Sequence, residues 1–467
     1  IMGKPYQNAT LIGTLNHRKY NGLVNINDPN LQGSVNGLID FSTPRLSADV
    51  KADFKRLNLG YLTGSKQSQI ITGSVDGKIA MTNLNDLMVD ANLSNVNIYA
   101  NNEKIEIPNG HIKSHVAGGE RFIDINAPGA AIGKINGKFN LADLAGMVQT
   151  GLNKILVGPE PHKKYIGQSF DMNFDVSQGL ISYFLPELKI PYGAHVDGAF
   201  DGNNNNLILN LDVEKAIYIM QNKDDIENTQ KALSVLNADV DISEVKPKQD
   251  SATIDQLMLR INTANKEQQI LAIIGRAELG NNILKKGRIT GQNINNEKLH
   301  VVADFQLGTP EREAENNMKN YAINFNQYTN EHGDYVVKFD PTSININHVT
   351  WQIDADPNLN HSITYKKANG VILAENIRFF SEDSELFIKN ARFKSGKDFD
   401  GDIIIKNLEI GKLFGMTANG NTMDFKGIAN GTINIKKNEQ YLEPIIDVKI
   451  NDIAMGNKDI GNLIVSA

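Results

Sequence analysis

The sequence predicts a mainly β protein, built as one long, curved antiparallel sheet in a trough or taco-shaped repeat architecture with a few short helices. Three observations lead there. First, a glycine-spaced alternating stretch returns along the chain. It runs Gly33-Ser34-Val35-Asn36-Gly37-Leu38-Ile39-Asp40-Phe41, then Gly73-Ser74-Val75-Asp76-Gly77-Lys78-Ile79-Ala80-Met81, then Gly133-Lys134-Ile135-Asn136-Gly137-Lys138-Phe139-Asn140-Leu141. Looser copies stand at Ala194-His195-Val196-Asp197-Gly198-Ala199-Phe200 and Gly427-Ile428-Ala429-Asn430-Gly431-Thr432-Ile433-Asn434-Ile435. Second, residues 94–114 lie without a gap over residues 375–395, with coinciding apolar positions and a shared Lys-Ser ending, so one supersecondary unit is reused. Third, 40% of the 467 residues are hydrophobic but only 7% aromatic, with abundant glycine and asparagine. That balance suits many short strands between turns.

Side chains on a strand alternate between two faces, so Val35, Ile39 and Phe41 share one side while Ser34, Asn36 and Asp40 share the other. The competing reading makes Asn36-Gly37 or Asp76-Gly77 a two-residue hairpin turn, because both positions accept positive φ. Apolar parity is kept across the glycine in all five copies, which favours a continuous strand. The copies begin at 33, 73, 133, 194 and 427, giving spacings of 40, 60, 61 and 233, too irregular for the coils of a β-helix.

In chain order, residues 1–139 form a glycine-spaced β segment broken by Asn21-Gly22, Asp28-Pro29 and Thr43-Pro44. Within it, Leu57 to Leu62 reads either as a strand end or as one helical turn. Residues 140–158 break the habit: Leu141, Leu144, Ala145, Val148, Leu152 and Ile155 follow three- and four-residue steps, which predicts an amphipathic helix packed on the sheet. Residues 159–220 return to strands (Phe170 to Val176, Leu207 to Val213), with a short helix or turn at Tyr183 to Leu188. Residues 221–250 are a polar loop region, and 251–467 are again β, interrupted by a charged insertion at 309–320. All of this reads as one elongated sheet. At 8–12 residues per strand the chain holds about 40 strands, on the order of 190 Å at 4.8 Å each, and sheets of that extent curl, close or stack. The apolar face is then either filled by protein or open as a trough.

Chemistry is sparse. The formal net charge of −7 argues against nucleic acid. The absence of cysteine excludes disulfides, thiolate metal sites and cysteine nucleophiles. No run approaches the roughly 18–20 apolar residues that span a bilayer, and the chain starts and stops inside alternating patterns, as the middle of a longer protein would. Among nine histidines the nearest pair, His111 and His115, sits in strand-like alternation that does not suit a helical metal pair. Asp224-Asp225 and Asp354-Ala355-Asp356 read as incidental surface acid, and Trp351 as packing. No metal, no cofactor and no enzymatic activity are expected.

The glycine-spaced strands 33–41, 73–81 and 133–141, the segment Gly118-Gly119-Glu120-Arg121-Phe122-Ile123-Asp124-Ile125 and the turn Leu185-Pro186-Glu187-Leu188 resemble the middle region of the TamB/AsmA-like family, in the asparagine-rich style of a Bacteroidota member. The resemblance implies a periplasmic protein, anchored to the inner membrane through a segment absent here, that carries phospholipid acyl chains between the two membranes. It also implies an outer-membrane barrel partner of the TamA type, engaged through a region not in this sequence. The expected groove lining is Val35, Ile39, Phe41, Val75, Ile79, Met81, Ile135, Phe139, Val196, Phe200, Val301, Phe305, Leu307, Ile433 and Ile435. Two other readings stand beside it: an assembly module for β-barrel proteins acting through unpaired strand edges, and a structural β-solenoid with a filled interior.

Overall fold

A computed structural model describes residues 7–63, 69–100, 103–155, 164–185, 187–220, 250–265, 267–279, 282–295, 297–346, 349–354, 359, 361–394, 398–410, 425–437, 442–455 and 458–466. The chain is mainly β and antiparallel, with 28 strands and a few short helices among these residues. The strands run up to 15 residues, longer than the sequence spacing implies, and for that reason fewer than about 40 are formed.

The chain divides into two compact units, residues 1–151, 163–264 and 273–281 in the first, and 152–162, 265–272 and 282–467 in the second. Strands of the first unit are β1 (Ala9–Asn16), β2 (Lys19–Asp28), β3 (Leu31–Asp40), β4 (Leu46–Asn58), β5 (Ile70–Met81), β6 (Met88–Ala100), β7 (Glu103–Ala117), β8 (Glu120–Ala127), β9 (Ala131–Lys138), β10 (Ser169–Val176), β11 (Leu188–Lys189), β12 (Ala194–Asp201), β13 (Asn206–Met220), β14 (Asp250–Asn262) and most of β15 (Ile270–Leu279). Its helices are α1 (Leu59–Thr63), α2 (Leu144–Asn153) and α3 (Gln178–Phe184). Each strand pairs with the next from β1 to β10. The ladder then passes from β10 to β12 and on to β14, and β11 pairs alongside β13. The helices α2 and α3 leave the sheet between strands and return the chain to the same ladder.

The second unit holds β16 (Asn282–Ile294), β17 (Lys298–Gly308), α4 (Pro310–Ala314), β18 (Lys319–Thr329), β19 (Tyr335–Phe339), β20 (Thr342–Ile346), β21 (Val349–Asp354), β22 (Ser362–Lys366), β23 (Val371–Ser381), β24 (Ser384–Lys394), β25 (Asp398–Glu409), β26 (Phe425–Lys437), β27 (Leu442–Met455) and β28 (Lys458–Ser466). Its ladder runs β16 to β19, then β22 to β28, with the β20–β21 hairpin joining through β23.

Several local expectations are settled. In all five copies the glycines and the residues between them lie inside a single strand, β3, β5, β9, β12 or β26, although the first copy outruns β3 at Phe41 and the third outruns β9 from Phe139, so the hairpin-turn reading of Asn36-Gly37 fails. Asn21-Gly22 is likewise inside β2 and not a break. The glycine is needed for a different reason: Gly37 has φ 146, and a Cβ built there falls on the carbonyl oxygen of Asp49 and 2.8 Å from Cα of Val50 on the neighbouring strand. Leu57 to Leu62 is both things expected, the end of β4 and then α1. The helix expected over 140–158 is shorter: a 3-10 turn, Leu141–Asp143, leads into α2, Asn140 makes no side-chain cap bond, and residues 156–163 lie outside the described residues. The insertion at 309–320 contracts to α4, capped by Thr309 with Pro310 at its first position, and Lys319 already begins β18. The polar region 221–249, Pro186 and Ala355-Asp356 lie outside the described residues.

The long self-match is a real structural repeat. Hairpin β6–β7 pairs Ser94 with Asn109 and Val96 with Ile107, leaving Asn95 unpaired at φ 50; hairpin β23–β24 pairs Glu375 with Asn390 and Ile377 with Ile388, leaving Asn376 unpaired at φ 54. Asparagine tolerates this left-handed conformation better than other side chains. In β6 the irregularity has a purpose: Leu93 before it and Val96 and Ile98 after it pack into one cluster although their parity differs.

Two outcomes are expected. Gly37→Ala lowers stability by about 2–3 kcal/mol in chemical denaturation, and Gly118→Ala, at φ 61 with open space around it, by about 1 kcal/mol; equal losses would remove the close-approach account. At the β2–β3 hairpin, Lys19 lies 2.8 Å from Asp40, and its hydrogen bond, followed by those from Ser42, holds the Asp40 carboxyl at about 2 against an ordinary 3.8. A carboxyl depressed on folding adds stability above its unfolded value that disappears as pH falls through the folded one. The NMR titration of Asp40 is therefore expected to have its midpoint near 2, and a midpoint at 3.8 would show the pair to be absent in solution.

Candidate functional site

Because directly opposed residues in an antiparallel ladder share a face, the registers assign every strand residue to a side. In the first unit one transverse row reads Leu15, Tyr20, Ile39, Ala48, Ile79, Val89, Ser114, Ile123, Ile135, Met172, Gly198, Leu209 and Ile261, across thirteen strands. A second row on the same side contains Val24, Val35, Ala52, Val75 and Leu93, and a third Phe174, Val196, Leu211 and Leu259. The opposite side carries charge of alternating sign: Asp49, Lys78, Asp90, Lys113, Asp124 and Lys134 face one another in succession. Lys78 lies 3.4 Å from Asp49, and Lys51 lies 3.9 Å from Asp76 in the adjacent row.

In the second unit, five isoleucines from five strands stand in one row, Ile377, Ile388, Ile403, Ile433 and Ile446. The neighbouring row on that side is Leu299, Gln327, Val337, Ile363, Ala374, Ala391, Gly401 and Ile435. Trp351 is buried against this sheet with Ile405, Leu408, Ala429 and Val448, a packing position as expected.

Of the fifteen residues singled out from sequence, Val35, Ile39, Val75, Ile79, Met81, Ile135, Val196 and Phe200 lie on the apolar side of the first unit. Val301, Phe305, Leu307, Ile433 and Ile435 lie on the apolar side of the second. Phe41 stands one residue past β3, its N–H donating to the carbonyl of Arg18 at 3.0 Å. Phe139 stands one residue past β9, edge-to-face with Phe170 at 6.4 Å. Phe305 stacks on Tyr321 at 5.5 Å.

These positions are not equivalent. Phe200 is 2% exposed and Leu207 0%, because α2 lies over this end of the face: Met147 is fully buried, and a Cβ on Gly151 would fall against the Leu207 side chain. Phe170 stacks on Phe200 at 5.9 Å, and Tyr165 meets Phe200 edge-on at 6.1 Å. Similarly α3 brings Leu180 onto the cluster of Val96, Ile105 and Ile107. Away from the helices, Val35, Ile39, Val75, Ile79, Val89 and Ile123 remain half-buried.

Arg121, on the apolar side of β8 and only 3% exposed, is a charge the sequence reading did not place there. Its guanidinium donates to the carbonyls of Leu87 (2.7 Å) and Asn85 and to Oγ of Ser114 (3.1 Å), and burial pulls its pKa down from the ordinary value. It ties the turn containing Leu84–Asp86 across the end of the face. Its parity with Ile123 and Ile125 puts it on this side, but its burial depends on the turn that presents the carbonyls of Asn85 and Leu87.

His111 is paired with Asp90 at 2.9 Å and His115 stacks on Phe122 at 5.2 Å, so the two histidines do not converge. Among the described residues no group of three His, Cys, Asp or Glu side chains is placed to hold a metal ion, and no helix is long and apolar enough to cross a membrane. No family model, no curated protein and no solved structure matches this chain significantly.

The helix-covered and uncovered parts of the face should respond differently. Phe200→Ala is expected to cost about 3–5 kcal/mol and Ile79→Ala only about 1–2 kcal/mol in urea denaturation; a full core-sized loss at Ile79 would mean that this part of the face is filled.

Proposed function

We propose that the protein is a bridge-like periplasmic carrier whose apolar face solvates the acyl chains of phospholipid in transit between two membranes. The observation that carries this reading is the row through Ile39, Ile79 and Ile123, apolar or small on nearly every one of thirteen strands, in which Ile39, Ile79, Val89 and Ile123 are half-buried. A row of this kind costs free energy in water and recovers it when an apolar ligand lies along it. Each methylene moved into water costs about 0.8 kcal/mol, so a sixteen-carbon chain faces a barrier of roughly 12 kcal/mol without such a surface. Continuity matters more than any one residue, since a gap of a few strands restores the barrier. The role of Val35, Ile39, Val75, Ile79, Ile135, Val196, Ile433 and Ile435 is passive solvation, which needs no titratable group.

The test is lipid content. The chain purified from an envelope-containing host is expected to carry several phospholipids by native mass spectrometry, and the Ile79→Asp and Phe305→Glu variants to lose most of them while keeping their β circular dichroism. A folded protein free of lipid, or one whose lipid survives both charges, would overturn the proposal and return the assignment to strand edges.

A further inference from the structure

A cavity of about 770 Å³ belongs to the first unit, and part of its lining is a row on the side opposite the apolar rows. The register fixes this: Ile132, Asp175, His195, Asp212 and Met258 face one another in one row of β9, β10, β12, β13 and β14, one residue out of phase with Ala131, Val176 and Ala194. Elsewhere that side is a ladder of paired charges, but here two of the row's members are apolar, and Ile132 is 45% exposed. Tyr192, 68% exposed, and Ile273 extend the apolar surface.

At the cavity the regular pairing of two strands is interrupted. Pairing of β13 with β14 steps from Val213–Leu257 to Lys215–Asp255, leaving Glu214 and Gln256 unpaired, with Gln256 at φ 58. Because the step is the same on both strands, the register is kept while the side-chain parity changes across it. Across it Val213 and Ala216 join one cluster with Ile254 and Leu257 on the apolar side, while Glu214 and Gln256 are exposed at the cavity.

The charge is one-sided. Three carboxylates, Asp175, Asp212 and Glu214, reach the cavity, and no lysine or arginine is among the described residues lining it. Asp175 is bonded to His195 Nδ1 at 2.7 Å, and Asp212 is paired with Arg260 at 2.8 Å, which stands outside the lining. Among the described residues no ion pair forms to Glu214. Apolar side chains beside carboxylates in a cavity of this size match a ligand that brings a cation next to an apolar group.

We propose that this outer cleft binds a peptide segment of a partner protein that presents a lysine or arginine side chain adjacent to an apolar one, the cation reaching Glu214 and Asp175 and the apolar side chain resting on Ile132, Tyr192 and Met258. The site is independent of the lipid-carrying reading, since it uses the other side of the sheet.

The probe is a capped hexapeptide of alternating lysine and leucine, compared by calorimetry with its glutamate–leucine counterpart. The net charge of −7 favours the lysine peptide weakly everywhere, so it is a preference of about fivefold that disappears in the double variant Glu214→Gln, Asp175→Asn that supports the cleft. Ile132→Ser is expected to weaken binding of the lysine peptide in the same range, and Ile79→Asp, on the other side, to leave it unchanged. Equal binding of the two peptides, or a preference that survives the double variant, overturns the proposal. Neither neutralised carboxylate is buried, so loss of fold does not enter, and circular dichroism checks it.

Discussion

The structure depends on cross-strand register. In an antiparallel ladder a slip of one residue exchanges the two faces of a strand, and here such a slip would set Lys78 against Ala48 and Val89 and turn Ile79 to water. The charged rows act against it: Asp49, Lys78, Asp90, Lys113, Asp124 and Lys134 alternate in sign from strand to strand. Each pair is solvated and contributes well under 1 kcal/mol to stability. Like charges brought opposite by a two-residue slip would repel, so the ladder discriminates between registers that keep the apolar face apolar. Hydrophobic parity selects the face, and charge selects the alignment.

Long strands introduce a second problem, since twist accumulates along them and a strand of 13–15 residues cannot keep one side on one core without correction. The bulges at Asn95, Gln256 and Asn407 supply it. At each one, apolar residues of different parity, such as Ile405 and Leu408, end in the same cluster. The residue given the left-handed conformation is asparagine in two of these three cases, which explains why the self-match of 94–114 on 375–395 preserves an asparagine along with the apolar positions.

Much of this is legible in the sequence because parity is local. Val35, Ile39, Val75 and Ile79 can be assigned to a common side from their own segments, and pairing of successive strands then aligns the segments with no further information. Three things are not legible. The covering of Phe200 and Leu207 by α2 depends on Met147 and Gly151 meeting residues some fifty positions later in the chain. Arg121 shares the parity of Ile123 and Ile125, so its side is legible, but its burial is not, because the carbonyls of Leu87 and Asn85 that receive its guanidinium lie 34 and 36 positions earlier in the chain. The outer cleft gathers Ile132, Asp175, Asp212 and Met258 from four strands, each of which taken alone shows an ordinary polar or single apolar position on an outward side.

The uneven burial of the apolar face is itself informative. A sheet whose apolar side serves only as core is covered along its length, as Phe170, Phe200 and Leu207 are beneath α2 and Ile105 beneath α3. Where cover is incomplete in the first unit, aliphatic side chains of intermediate size recur, Val35, Ile39, Val75, Ile79, Val89 and Ile123, and in the second unit five isoleucines succeed one another across five strands, Ile377 buried and the other four half-buried. β-branched residues have little rotamer freedom to lose on contact. A uniform row of them forms a smooth strip without deep pockets, and a strip of that kind gives an alkyl chain nearly the same environment at each step. Large aromatic side chains would instead create sites of unequal depth that hold a chain in place. Phe170, Phe200 and Tyr165 gather in this way at the end of the face that α2 covers.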